Sequence, residues 1–151
     1  MDTKQFVIGT AVGASTVVAI GFSLFALPPL RDFYLYAMNA GSATGVARES
    51  PLVWAVFVGA LSYGALITLA IGNRPSRVGV GAGMRIGAVV AFLLWCTANF
   101  MFFGISNVGT LTSTIIDPLL ELVPGAMAGG TVALVLERLN TAGPSHPAAA
   151  A

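Results

Sequence analysis

Hydrophobic residues are arranged along this chain in long blocks, and the charged residues lie between the blocks. Three blocks carry no charged side chain at all: residues 5–30, 50–73 and 86–116. A fourth uncharged block, residues 122–136, becomes longer if Glu121 is counted within it. Because a helix needs roughly 20 residues to cross the hydrocarbon core of a bilayer, and because no block alternates like a barrel strand, the pattern predicts four transmembrane helices.

Prolines and capping residues set the bounds of the predicted helices. The first helix ends before Pro28 and Pro29, which cannot continue it. The second begins after Ser50 as N-cap, with Pro51 at its first position. Residues 106–114 are rich in Ser, Thr, Asn and Gly and are predicted to form a loop. The fold class is all-α, an integral membrane four-helix bundle, with helices at residues 6–27, 51–72, 84–104 and 117–138.

The residues after the fourth block are of a different kind. Residues 140–151 read NTAGPSHPAAAA and contain no large apolar side chain. Such a segment cannot bury enough apolar surface to offset the entropy lost on ordering. We therefore predict one transmembrane domain over residues 1–139 and a disordered C-terminal tail, which holds the chain's one histidine, His146.

The positions of the positive residues predict the orientation of the bundle. Four crossings place both termini and the loop between the second and third helices on the same side. That side carries five of the seven basic residues, namely Lys4, Arg74, Arg77, Arg85 and Arg138, and the other side carries Arg31 and Arg48. Because cytoplasmic loops are enriched in Lys and Arg, both termini are predicted to be cytoplasmic.

The composition agrees with a membrane protein and excludes several classes of function. The chain has 151 residues, 56% hydrophobic and 9% charged, whereas about 25% of residues are charged in average globular domains. A net charge of +1 provides no field that would attract nucleic acid. A single Cys provides no disulfide framework within the chain. A single His, in the tail, provides neither a His-based zinc site nor a nucleophile–base pair. We expect no cofactor, no metal and no enzymatic activity.

Many of the 18 glycines recur at a spacing of four residues. Small residues four apart lie on one helix face and let two backbones approach closely. This pattern fits packing within the bundle, and it equally fits the seam of a homo-oligomer. The repeating positions are Gly9 and Gly13, then Gly79, Gly83 and Gly87, and finally Gly125 and Gly129.

Aromatic residues follow the first predicted helix and begin the second. Phe33, Tyr34 and Tyr36 lie directly after the first helix, and Trp54 lies one turn inside the second. Aromatic side chains at these positions usually anchor a protein at the membrane–water interface. We expect interfacial anchors here, and the alternative is a lid or docking surface.

Three polar residues lie within the predicted third and fourth helices: Asn99, Asp117 and Glu121. If Glu137 marks the inner boundary, Glu121 lies about 6 Å inside the outer one. An intramembrane acid suggests function, here a proton or cation relay or a pocket for the polar group of a ligand. The structural alternative, which we favour, makes Asp117 the N-cap or the partner of Thr114 in a capping box, with Glu121 complementing the helix dipole.

Asn99 is predicted at about the same depth as Glu121, since it lies about 21 Å along the helix from Arg85. Because Pro124 has no N–H, the Leu120 carbonyl loses its helical donor at that level. We expect Asn99 to donate to this carbonyl or to Glu121. An interhelical hydrogen bond worth about 0.6–2 kcal/mol is the favoured interpretation, ahead of a relay.

Two further residues fall near the middle of the third helix. Cys96 has no cationic neighbour in the sequence that would activate its thiol, so we expect it to be inert. The indole N–H of Trp95 needs a partner when it is buried, and Tyr63 or Ser62 on the second helix could supply one.

Several short motifs in this chain are similar to those of a group of small bacterial membrane proteins. The resemblance is to the family labelled domain of unknown function 1761-like, and it spans nearly the whole chain except the tail. It implies a four-helix protein of the bacterial inner membrane, implies no particular activity, and includes Asp117 in its pattern. The motifs are Asp32-Phe33-Tyr34, NAGSATGV at residues 39–46, Arg48-Glu49-Ser50-Pro51, Gly104, Asn107, Leu111-Thr112 and Ile116-Asp117.

Two functions fit the sequence. The favoured one is a non-enzymatic accessory or structural component of the membrane, with the lipid bilayer and a second copy or another membrane protein as partners. The alternative is a small transporter or channel with Asn99, Asp117 and Glu121 in its path. The two differ in whether Glu121 faces an internal cavity or the lipid headgroups.

Overall fold

The computed structural model describes residues 1–32 and 52–141. These residues form helices and no strand, which confirms the all-α fold class. Four spans are long and apolar enough to cross a membrane, so the chain has the architecture of a multi-pass membrane protein. The helices are α1 (Thr3–Ala26), α2 (Val53–Gly72), α3 (Val80–Ile105), α4 (Leu111–Leu120) and α5 (Leu122–Thr141), and α4 and α5 together make the fourth span.

Helix α1 begins three residues before its predicted start because a capping box precedes it. The Asp2 carboxylate accepts the Gln5 backbone N–H at 2.7 Å, and the Gln5 side chain accepts the Asp2 backbone N–H at 3.0 Å. Both pairings satisfy N–H groups that a helix start leaves without partners. The helix ends at Ala26, close to the predicted end before Pro28.

The bounds of α2, α3 and α5 also differ from the predicted ones. Helix α2 begins at Val53, and the predicted cap and proline before it lie outside the described residues. Helix α3 begins four residues early, with Gly79 as its N-cap. Helix α5 continues to Thr141, where the Gln5 amide donates to the Asn140 side chain at 2.7 Å. The predicted tail is therefore wrong at residues 140 and 141, which belong to α5, and residues 142–151 lie outside the described part.

The fourth span departs most from its prediction. It begins at Leu111 rather than residue 117, because Thr110 and Ser113 form a reciprocal capping box at 3.2 and 2.9 Å. The predicted loop is therefore wrong beyond residue 110. The span is interrupted at Glu121, between Pro118 and Pro124, neither of which can donate a backbone hydrogen bond.

Glycines bring α3 and α5 into backbone contact. A side chain on Gly83 would meet the Gly129 carbonyl oxygen at 2.6 Å, and one on Gly87 would overlap the Gly125 carbonyl oxygen. Helices α1 and α2 meet in the same way, because a side chain on Gly13 would lie 3.1 Å from a backbone atom of α2. These spacings therefore serve packing within the chain.

Two members of the predicted glycine pattern behave differently from the rest. Gly9 faces a side chain rather than a backbone, since a Cβ there would lie 2.7 Å from the Thr68 methyl. Gly79 is the N-cap of α3, and a Cβ there would meet nothing within 4 Å. Its predicted packing role is wrong, because it precedes the helix rather than lying on its contact face.

Candidate functional site

Asn99 forms the polar link between α3 and α4. Its side-chain amide donates to Asp117 Oδ2 at 2.7 Å and to the Trp95 carbonyl at 3.0 Å. The structure thus brings Asn99 to Asp117 rather than to either expected acceptor, the Leu120 carbonyl or Glu121, which lies one turn later. The hydrogen bond ties the two helices together at a carboxylate that is only 1% exposed.

Asp117 lies inside α4 and does not cap it. The cap is Thr110, so the predicted N-cap and the predicted capping box of Thr114 with Asp117 are both wrong. The Thr114 hydroxyl instead donates to the Thr110 carbonyl at 2.8 Å. Because the hydrogen bond from Asn99 joins two helices, it has the geometry of an interhelical tie.

Glu121 lies at the junction of α4 and α5 and on the wall of a cavity. Its backbone N–H donates to the Asp117 carbonyl at 3.1 Å, and its carbonyl accepts from Gly125 at 3.1 Å, so the chain stays helical on both sides of the junction. The side chain is half-buried. No side chain of the described residues donates a hydrogen bond to its carboxylate or forms an ion pair with it.

The cavity beside Glu121 has a volume of about 680 Å³. Its walls are the C-terminal half of α1, the N-terminal half of α2, one turn of α3 and the α4–α5 junction. This volume lies within the range of about 300–1,000 Å³ that is typical of small-molecule sites. Gly21 and Gly59 help to make the space, since a Cβ at either position would meet nothing within 4 Å.

Apolar side chains form most of the cavity wall, and few polar groups interrupt it. Among the described residues that line the cavity, Glu121 is the one acid and Arg31 the one base. The other polar side chains are those of Ser62, Tyr63 and Trp95, and the Ser62 hydroxyl donates to its own helix, at the Val58 carbonyl. The site therefore combines hydrophobic walls with a small number of fixed polar groups, as ligand sites do.

Two polar atoms on this wall are buried without a hydrogen bond in the described part of the chain: Tyr63 Oη and Trp95 Nε1. An indole can only donate, so even a contact between them would leave the Tyr63 hydroxyl hydrogen without an acceptor. An unsatisfied buried polar group costs about 1–3 kcal/mol. Both atoms lie beneath the accessible surface, so a ligand in the cavity would contact them only after the side chains shift.

The remaining predicted sites have simpler outcomes. Phe33, Tyr34 and Tyr36 lie outside the described residues, and Trp54 is 67% exposed in the first turn of α2, as an anchor requires. Cys96 is half-buried and free. Within residues 1–32 and 52–141, no three His, Cys, Asp or Glu side chains lie close enough together to hold a metal ion.

The sequence pattern identified part of this site and missed the rest. It singled out Glu121 and noted that Trp95 and Tyr63 carry polar groups in a membrane setting. It missed Gly21 and Gly59, whose only signal is that they stand outside the four-residue repeats. The sequence matches no family model, no curated protein and no solved structure.

Proposed function

We propose that this chain is a non-enzymatic, multi-pass membrane protein that binds a small hydrophobic molecule with a polar group, as a small carrier or transporter does. The observation that carries the proposal is that Glu121 lines a 680 Å³ cavity together with Tyr63 and Trp95. A carboxylate serving only the helix dipole would not need to face such a space.

The chemistry of the wall favours a hydrophobic ligand over a hydrated ion. An ion path needs polar groups along its length to replace water. Here the polar side chains are few, and the rest of the wall consists of residues such as Val17, Leu66 and Leu94. A molecule with an apolar body therefore gains more from this cavity than an inorganic cation does.

The contacts within the bundle weaken the case for a purely structural role. Gly83, Gly87, Gly125 and Gly129 already face one another inside the chain, so they do not need a second copy as partner. Asn99 and Asp117 supply the polar tie between helices without Glu121. Self-association would have to use other surfaces of the bundle. The exposed apolar side chains contact the lipid bilayer.

For the location, we propose the bacterial inner membrane with both termini in the cytoplasm. Support comes from the end of the bundle where Met1, Arg74, Arg77 and Asn140 line one groove, because this shared groove brings the start of α1 and the end of α5 beside the basic loop after α2. The clustering of basic residues at one end is what the positive-inside rule requires of a cytoplasmic face.

The test fills the cavity and measures binding of a neutral hydrophobic fluorophore, N-phenyl-1-naphthylamine. In a Trp54→Phe background the chain's other tryptophan, Trp95, is the only energy donor, and it lies on the cavity wall. We expect saturable energy transfer from Trp95 in the detergent-solubilised chain. Gly59→Leu places a side chain in the cavity and should abolish that saturable signal.

The matched control for this test is Gly104→Leu. Gly104 also meets nothing within 4 Å, but it does not line the cavity, so its saturable transfer should be unchanged. Absence of saturable transfer in the parent chain, or equal loss in both leucine variants, would contradict binding in the cavity. Circular dichroism of both variants establishes that they remain helical.

A further inference from the structure

We propose that the ligand of this cavity is a lipophilic organic cation, whose positive charge is held by Glu121 and whose apolar body contacts the aromatic wall. This inference rests on the proposed function and adds the charge class of the ligand. It begins with Glu121, the one acid among the described residues that line this mostly apolar wall, since a carboxylate removed from water needs a counter-charge or hydrogen-bond donors.

The described residues do not supply that counter-charge. Arg31 lines the same cavity, but it is exposed and none of its nitrogens lies within 4 Å of the Glu121 carboxylate. No lysine lines the wall. A cation entering the cavity would therefore meet a half-buried carboxylate that has no ion-pair partner among residues 1–32 and 52–141, and the low-dielectric wall would strengthen their attraction.

The aromatic residues on the wall point to the same class of ligand. Phe22, Tyr63 and Trp95 all line the cavity, from three different helices. The face of an aromatic ring attracts a cation, most strongly for Trp, and quaternary ammonium ligands are commonly recognised in this way. An anionic ligand would be repelled by the Glu121 carboxylate on the same wall.

The experiment compares three probes of one shape and different charge: tetraphenylphosphonium, neutral tetraphenylsilane and tetraphenylborate. Equilibrium dialysis of each labelled probe against the full chain in detergent, with empty micelles as blank, gives the three dissociation constants. We expect the phosphonium to bind at least tenfold more tightly than the borate, with the silane between them.

Variants then assign the charge preference to one residue. Glu121→Gln should weaken phosphonium binding at least tenfold and leave silane binding within a factor of about three, because it removes the charge and keeps the shape. Glu121→Asp, which keeps the charge, should retain the preference for the phosphonium. Glu137→Gln is the matched control, because Glu137 is an exposed acid that does not line this cavity, and it should change nothing.

The role of Arg31 gives a second, independent readout. Its positive charge on the cavity wall opposes an incoming cation, so Arg31→Gln should tighten phosphonium binding and weaken borate binding. Weaker phosphonium binding in this variant would overturn the assignment of Arg31 as a competing charge and, with it, the cation proposal.

The outcomes separate this inference from the proposed function. If the three probes bind equally, or the borate binds best, the cavity binds ligands but the cation class is wrong. The cation class is also wrong if the naphthylamine binds while no tetraphenyl probe does. If neither the naphthylamine nor any tetraphenyl probe binds saturably, the proposed function itself fails.

Discussion

Replacing Gly87 by Ala tests whether backbone contact between α3 and α5 holds this bundle together. The added methyl group would lie 2.8 Å from Gly129 Cα and 2.9 Å from Gly129 N, and it would overlap the Gly125 carbonyl oxygen. All three atoms belong to the backbone of α5, so no side-chain rotation can relieve the overlap. Since carbon atoms prefer separations of about 3.5–4.0 Å, the two helices must move apart by about 0.7 Å or more.

The expected magnitude follows from two opposing effects. Overpacking of a closely fitted contact costs about 1–3 kcal/mol, and backbone overlap places Gly87→Ala in the upper part of that range. Alanine is the better helix former by about 1 kcal/mol, which offsets part of the loss. We expect a net loss of about 1–2 kcal/mol in the free energy of unfolding.

The control for this substitution is Gly59→Ala in the interior of α2. A Cβ at Gly59 meets nothing within 4 Å, so only the gain in helix propensity remains, up to about 1 kcal/mol. Both variants are measured by denaturant unfolding in mixed micelles, followed by circular dichroism. Relative to the parent chain, Gly87→Ala should be less stable and Gly59→Ala more stable, so that their free energies of unfolding differ by about 2–3 kcal/mol. A Gly87→Ala chain as stable as Gly59→Ala would refute the backbone contact.

Three further predictions address the polar tie, the helix start and the orientation. Asn99→Leu should lower the free energy of unfolding by about 1–3 kcal/mol, since it leaves buried Asp117 without its amide donor. The control Thr97→Ala, at an exposed position of the same helix, should have little effect, and equal changes in the two variants would count against the tie. Asp2→Ala should cost α1 about 0.5–2 kcal/mol through loss of its cap, and unchanged unfolding would speak against the capping box. A periplasm-active reporter fused after Ala142 should give no signal, and a strong signal would overturn the proposed orientation.

The four spans could be predicted from the sequence because the bilayer demands one simple property of each. A run of roughly 20 apolar residues is visible in any sequence, whatever its neighbours. The start of the fourth span was less visible, because its capping box uses Ser113 at the position where Glu or Gln usually stands. A search for the common form of the motif does not find Thr110 and Ser113, and the helix start was therefore predicted six residues too late.

The partner of Asn99 shows the limit of depth arithmetic. Counting residues from Arg85 and from Glu137 placed Asn99 level with Glu121, yet the amide meets Asp117, one turn away. Long charged side chains reach toward water from different depths, and helices tilt, so a boundary residue fixes depth only to about one turn. An error of one turn does not change the predicted fold. It does change the predicted partner of Asn99 from Asp117, which ties α3 to α4, to Glu121, which lines the cavity.

Glycine shows why the cavity itself could not be predicted. Gly64 stands outside any four-residue repeat of glycines, yet a side chain there would lie 2.6 Å from the Ala14 backbone nitrogen, so it packs as closely as the repeated glycines do. Gly59, one and a half turns earlier on the same helix, faces open space on the cavity wall. The same residue type therefore permits contact at one position and leaves room at the other. The two glycines differ in the helix face that lies opposite each of them. The packing of all four spans determines that face, so the sequence of one helix does not reveal it.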